Sequence, residues 1–532
     1  MSIAVNGLAS SRKTPGVYLS VILGGAATSA GAAAKKILLV GNKITTTLTN
    51  TAPSFSVAAG TQANASPAFI ASADDAVTYF GRGSELHRMA KRVFEQYPDA
   101  LVYGCAVAES GGNRATVVCT FATNASAAYS IRCRIAGRTF DVPVASGDTP
   151  TVIATAVANA ILDESDLPVT AQFALGVLTI SAKHPGPRGN ALYARLSFVD
   201  SAGRETLITS SSTSSGAGTT GTMSGGSAEG GLYLFTGGTT ADDVTNALAA
   251  IASTKYDRIV SAVRDATNVD LIAAHVDSLA AVTSQKRQQW VIGSVDTLAN
   301  ATTLATGRND SRGQIAWHYN SPVPAEEVAA QVAAARLIGD SFAGGSLVGE
   351  ASDPAANLDG LLLKSIPTQH DVADRPTDTE IESALNNGLT VLAPSGAFTS
   401  VARSVTTRSL DALSNPSYSV LDTSNVTIID HVADDLQSDL ATVYAGCKLA
   451  SDSADGEPPD APRVVTPSMI RGRIHYKLKG YESASIIRDV DANLSNLQVE
   501  EDGNVAGRVN AEIPCEPIPG LHVLGGNVRQ VV

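Results

Sequence analysis

Two stretches of this chain alternate strand-like and helix-like segments, and a third stretch between them breaks that alternation. Ile37 to Gly41 is an apolar run that reads as a buried strand. Asp74 and Asp75 mark a helix start. Leu86, Met89, Ala90, Val93, Phe94 and Tyr97 then recur at the helical period and define one buried face. Pro98 stops that helix, and Ala100 to Ala108 returns as an apolar strand, which completes a βαβ unit. The alternation resumes at Leu232. Strands are expected at Leu232–Phe235, Arg258–Val263, Trp290–Gly293, Gln314–Tyr319 and Leu389–Leu392. Helices are expected at Ala241–Ser253, Val269–Thr283, Pro324–Ile338 and Asp378–Asn387. Strand–helix alternation is the signature of a largely parallel sheet covered by helices.

Between these blocks the period changes to two. Ser130–Ile135 and Thr139–Val144 alternate polar and apolar residues, as half-exposed strands do. A short helix opens at Asp148-Thr-Pro150, further strands follow near Val169–Phe173, Val177–Lys183 and Ala191–Val199, and Thr209–Gly221 reads as a low-complexity linker. The fold class is therefore α/β, a largely parallel sheet with helices. A β-rich inserted domain interrupts it, and an α+β C-terminal domain and extended terminal arms complete it. The expected boundaries are residues 1–24 for the N-terminal arm, 25–109 and 231–394 for the two parts of the α/β domain, and 110–230 for the insertion. Residues 395–515 make the C-terminal domain and 516–532 the C-terminal arm.

In the C-terminal domain, Val426 to Gly446 is helical and carries Asp430, Asp434, Asp435 and Asp439. Thr466-Pro467 supplies an N-cap and a first-turn proline for a second helix. Ile470, Ile474, Leu478 and Tyr481 form its apolar stripe, and Arg471, Arg473, Lys477 and Lys479 lie off it. Gly472 weakens that helix and Gly480 is a candidate end. Strands are expected near Leu497–Glu501 and Val505–Ile513, and the tail from Leu521 is again strand-like.

Chemistry finds little support. The motifs GxSxG, HExxH and GxxxxGK[ST] are absent. Gly81-Arg-Gly83 starts a glycine fingerprint, but residue 86 is Leu and no strand ends before it, so a turn between helices is the better reading. The closest two of the eight histidines are 43 positions apart, which excludes a helix-face metal pair. Asp242-Asp243 and Glu326-Glu327 look like catalytic acid pairs, yet both fall in the first turn of an expected helix, where carboxylates offset the helix dipole. Trp317-His318-Tyr319, at a strand end, is the most site-like cluster. The five cysteines are odd in number and include no CxxC spacing, so neither a disulfide framework nor a zinc ribbon is expected. No catalytic residue, metal or cofactor is expected. With 38 basic residues against 51 acidic, the net charge of −13 argues against nucleic acid as a partner. No apolar run reaches the roughly 18 residues of a membrane span, so no membrane insertion is expected. Arg12 and Lys13 before Val17–Leu23 imitate a signal peptide, but a strand led by Pro15-Gly16 fits better.

Four features, in this order, resemble the contractile phage tail sheath proteins, particularly the Mu-type branch. They are the Pro15-Gly-Val-Tyr18 arm, Val77-Thr-Tyr-Phe-Gly-Arg-Gly-Ser84 leading into a helix, Val465-Thr-Pro-Ser-Met-Ile-Arg471, and the pair Val499–Asp502 and Arg508–Pro514. The resemblance spans most of the chain, and relatives carry an insertion of variable size. It implies a structural, non-enzymatic subunit that stacks as hexameric rings around a tail tube. Its partners would be other copies of itself, the tail tube protein, and baseplate and tail terminator proteins. It would reside in the virion tail after assembly in the cytoplasm of the infected bacterial host. Terminal arms of such subunits add strands to a neighbour's sheet. The N-terminal candidates here are Val17, Tyr18, Leu19 and Val21, tethered by the Gly24–Ala34 linker. The C-terminal candidates are His522, Val523, Leu524 and Val528. The helix at 467–481 would face the tube, with Arg471, Arg473, Lys477 and Lys479 as the candidate contacts. A soluble α/β enzyme of hydrolase or dehydrogenase type, and a secreted adhesin-like protein, are the alternatives. The first needs a motif that is missing and the second a cleaved N-terminus.

Overall fold

The computed structural model describes residues 17, 19, 35–51, 54–210, 212–213, 219–227, 232–339, 358–369, 371–411, 413–417, 420–453 and 461–527. Tyr18, Val21, Val528 and the linker Gly24–Ala34 lie outside the described residues. The described helices are α1 (Ala73–Phe80), α2 (Glu85–Gln96), α3 (Pro150–Asp163), α4 (Thr245–Ile251), α5 (Ala266–Ala280), α6 (Leu298–Arg308), α7 (Ala325–Gly339), α8 (Asp378–Asn386), α9 (Thr423–Val443) and α10 (Pro467–Ser483).

A nine-stranded sheet organises the α/β part. Its order is Leu362–Pro367, Phe398–Arg403, Thr390–Ser395, Gly313–Trp317, Gln289–Ser294, Arg258–Ser261, Lys36–Asn42, Leu101–Val107 and Ala68–Ile70. The six strands from Thr390–Ser395 to Leu101–Val107 run parallel. The strands outside them pair antiparallel. The sheet is therefore mixed at its edges, and it continues through Phe398–Arg403, past the expected boundary at residue 394. The period-two geometry of a strand divides Lys36–Asn42 between two cores. Leu38 and Val40 pack with α4, α5, α6 and α8, while Ile37 and Leu39 pack with α1, α2 and α7.

Alanines at 329, 330, 333 and 334 let α7 lie close to the sheet. The approach is tightest at Gly293, where an added Cβ would stand 1.9 Å from the Ala325 carbonyl oxygen. Gly293→Ala is expected to cost about 1–3 kcal/mol, since backbone cannot yield as a side chain can. A thermal midpoint unchanged by this substitution would contradict the tight packing.

The insertion builds one core from two antiparallel sheets and α3. Ile131, Cys133 and Ile135 face inward as the alternation requires. Arg132 and Arg134 face the other way and pair with Asp141 and Glu205. Part of the expected linker 209–221 is sheet instead: Ser212–Thr213 pairs with Thr220-Gly221, and Thr220–Ser224 continues against Arg114–Phe121.

Other details differ from expectation. α4 begins only at Thr245, so Asp242-Asp243 precede it. α6 was not expected, because only Ala301 and Ala305 are buried along it and the remainder is rich in Thr and Ala. α10 runs through Gly472 and Gly480 to Ser483, held at its start by Thr466, whose side chain accepts from the Met469 N–H. Residues 518–527 form no strand, because an extended segment becomes one only with a partner edge.

Candidate assembly interface

The parallel strands have two ends, and different parts of the chain cover them. At the C-terminal end, where open α/β sheets bind ligands, the insertion projects Arg188. Its guanidinium donates to Glu85 Oε1 at 2.9 Å and to Asp242 Oδ2 at 2.7 Å, and also contacts the Asn42 side chain. The Asn42 N–H donates to Glu85 Oε2 at 2.8 Å. Beside this cluster, His184 Nδ1 lies 2.8 Å from Glu109 Oε1. Burial alone would raise the Glu85 carboxyl, but Arg188 and His184 hold its pKa at about 2. The cavity left among Glu85, Arg88, His184, Arg188 and Glu326 measures about 30 Å³, enough for a water and far below a substrate pocket.

The acid pairs are structural here. Glu326 and Glu327 do sit in the first turn of α7, where Glu326 takes Arg88 at 2.8 Å and Glu327 takes Arg92 at 2.7 Å. Asp242 is bound to Arg188. His318 is buried, with Nδ1 2.9 Å from Ser321 Oγ, and burial pushes its pKa down to about 4. Trp317 donates from Nε1 to the Asp296 carbonyl and stacks on Tyr319. This cluster is a packed strand terminus. Among the described residues, no group of three or more His, Cys, Asp and Glu is placed to hold a metal ion. No described helix is long and apolar enough to cross a membrane.

At the opposite, N-terminal end of the strands the C-terminal region docks through α9. Arg312 grips Asp430 with two hydrogen bonds of 2.6 and 2.7 Å. Arg258 and Arg336 both donate to Thr427 Oγ1, at 2.9 and 3.0 Å. The other face of α9 meets α10 through Val432, Leu436, Leu440, Ile474, Leu478 and Tyr481.

The four basic candidates on α10 are tied to acceptors in the same chain. Arg471 donates to the Leu494 and Leu497 carbonyls, both at 2.9 Å. Arg473 pairs with Asp439, Lys477 with Asp435 at 2.7 Å, and Lys479 with Glu482 and Asp491. The face of α10 left to solvent carries Met469, Gly472, Tyr476 and Gly480, with Tyr476 69% exposed.

Both arm candidates meet the body of the molecule. Val17 and Leu19 pack against the α9–α10 core. The Gln285 side chain donates to the Val17 carbonyl at 3.0 Å, and Arg287 donates to the Leu19 carbonyl at 2.7 Å. His522 Nδ1 lies 2.6 Å from Asp359 and Nε2 lies 3.4 Å from Asp422. On either side of this anchor, Leu521, Val523 and Leu524 are 77, 82 and 87% exposed. Sequence reasoning missed Arg188, Gln285, Arg287 and Arg312. The three arginines offered only a charge near a strand, which does not name a partner, and Gln285 offered no signal.

Residues 415–530 match the family model of the phage tail sheath C-terminal domain. That segment covers α9, α10 and the tail. The matched family is one of structural proteins of phage tails, not of enzymes. The chain's resemblance to the contractile tail sheath proteins of the Mu-type branch is borne out. The Mu-like prophage FluMu tail sheath protein of Haemophilus influenzae is 25% identical over 517 residues, which cover 96% of each chain. Among solved structures, the sheath tail protein of Desulfitobacterium hafniense aligns with a TM-score of 0.44 at 13% identity, over 95% of this chain and 98% of that one. The baseplate of the anti-feeding prophage aligns with a TM-score of 0.38 at 13% identity, over 57% of this chain and 76% of that one.

Proposed function

We propose that this chain is a sheath subunit of a contractile phage tail. It polymerises as stacked hexameric rings around the tail tube, with arms exchanged between neighbouring subunits, and shortens to drive the tube through the host envelope. The tail tube, baseplate and tail terminator proteins are its partners in the virion tail, and assembly occurs in the host cytoplasm. Nucleic acid is not a partner.

One observation carries this reading. The tail presents Leu521, Val523 and Leu524 to solvent, and described residues 518–527 form no strand. Such a segment gains from burial only when another sheet edge receives it. Identical subunits that each offer a tail and an edge polymerise head to tail. The free energy of shortening then comes from interface added over many copies, with no nucleotide required. The free face of α10, Met469 to Gly480, is the surface we assign to the tube, with Arg471, Arg473, Lys477 and Lys479 along its flanks. The insertion docks at the far end of the strands from α9, which supports an outward position for it.

Negative-stain imaging of the purified chain tests the assembly, and tubes or ring stacks are expected. Changing Leu521, Val523 and Leu524 together to Ser removes apolar surface already in water, so the subunit's own stability should change by less than about 0.5 kcal/mol. Tube formation should be lost. Normal tubes from this triple variant would exclude the tail as an exchanged strand.

A further inference from the structure

Residues 285–287 combine several unusual features. Gln285 holds a backbone φ of 54°, a left-handed conformation that a long side chain rarely adopts. Arg287 is a fully buried guanidinium. One of its nitrogens is committed to Asp434 on α9, at 2.5 Å. A second reaches the Leu19 carbonyl, two residues along from the Val17 carbonyl that Gln285 takes. Two donors two residues apart therefore meet two carbonyls two residues apart. That is the spacing at which one edge of an extended strand presents its carbonyls, roughly 6.6 Å. The side chains of Gln285 and Arg287 imitate the donor edge of a sheet. Because they read backbone, they select an extended conformation more than a sequence. Val17 and Leu19 add specificity by packing on the α9–α10 core. A buried guanidinium with an acceptor removed is costly, so this receptor is built to be filled.

We propose that Gln285 and Arg287 form a receptor for an extended arm, and that in the free subunit the chain's own N-terminal arm fills it. The consequence for assembly rests on the sheath reading above: the arm must leave this receptor before it can pair with a neighbour. The sixteen steps from Leu19 to Lys35 reach at most about 55 Å, so the arm is a tethered ligand. Tethering gives an effective concentration on the order of millimolar, which a dilute neighbour does not match. Docking on the same chain therefore delays polymerisation until subunits are gathered at high local concentration.

The test uses the full chain below the concentration at which it polymerises. A fluorescent peptide of residues 12–24 is titrated, and its anisotropy is read. The Val17→Asp, Leu19→Asp double variant keeps the arm but loses its apolar anchors, so it should take up the peptide. Wild type should bind at least about 10-fold more weakly, because its receptor is filled. Adding Gln285→Ala or Arg287→Lys to the double variant should weaken uptake again. Equal binding by wild type and the double variant would overturn docking on the same chain. No binding by either would overturn the receptor. Both results are independent of whether wild type forms tubes, which is the separate test of the sheath reading.

Discussion

Arg312→Ala is expected to destabilise the attachment of the C-terminal region by about 3–5 kcal/mol. Asp430 is buried on α9 and accepts both hydrogen bonds of the Arg312 fork. Burial alone would raise the Asp430 carboxyl, but Arg312, with Arg287 and Lys255, holds it below the ordinary range. Removing the guanidinium leaves a buried carboxylate short of its main counter-charge, and that residual group produces most of the loss. The double change Arg312→Ala, Asp430→Ala should therefore cost less than the sum of the two single changes. Differential scanning calorimetry should show a new, earlier transition in the single variant. A loss below about 1 kcal/mol would mean that α9 is held mainly by its apolar contacts, by Thr427 and by the Arg287–Asp434 pair.

The second large effect concerns the joint between insertion and sheet. Arg188→Met should cost a similar 3–5 kcal/mol at neutral pH, because Glu85 and Asp242 would face each other without their shared cation. The acid limb separates this joint from ordinary packing. Glu85 falls from an ordinary 4.5 to about 2 in the fold. Its stabilisation is thus fully present above pH 4.5 and lost as pH falls toward 2, a change of about 3 kcal/mol. Wild type should lose stability steeply across that window in urea titrations, and the Arg188→Met variant should show a shallower slope. Parallel slopes would assign the acid sensitivity to other carboxylates.

Much of this architecture was legible because burial writes a period into a strand or helix. Ile37 to Gly41, α2 and the alternation at Ser130–Ile135 could be read directly, since each repeats the spacing of its own backbone. α6 was hidden because two alanines are too small to write a pattern. The antiparallel edge strands were hidden because pairing direction depends on residues distant in sequence. The acids of α9 show the same limit in a finer way. Asp430 and Asp434 share one face and meet Arg312 and Arg287, while Asp435 and Asp439 share another and meet Lys477 and Arg473. Two acid pairs at helical spacing were visible in the sequence. That each faces a different body was not, because partner identity lies in the tertiary fold. The four basic residues of α10 stood out for the same reason. A chain with net negative charge makes any cluster of cations conspicuous, and only the fold shows that their partners are acids and carbonyls of the same chain.

The insertion grips the sheet at one end and the C-terminal region grips it at the other, and this separation has a practical side. The hairpin tip at Leu175-Gly176 belongs to the insertion, and Leu175 there is 91% exposed in a left-handed turn. A foreign peptide spliced into that tip would join the insertion, which grips the end of the sheet opposite the one where α9 docks. The tip is therefore a site for displaying a graft on the folded subunit, remote from the ion pairs through which α9 is attached.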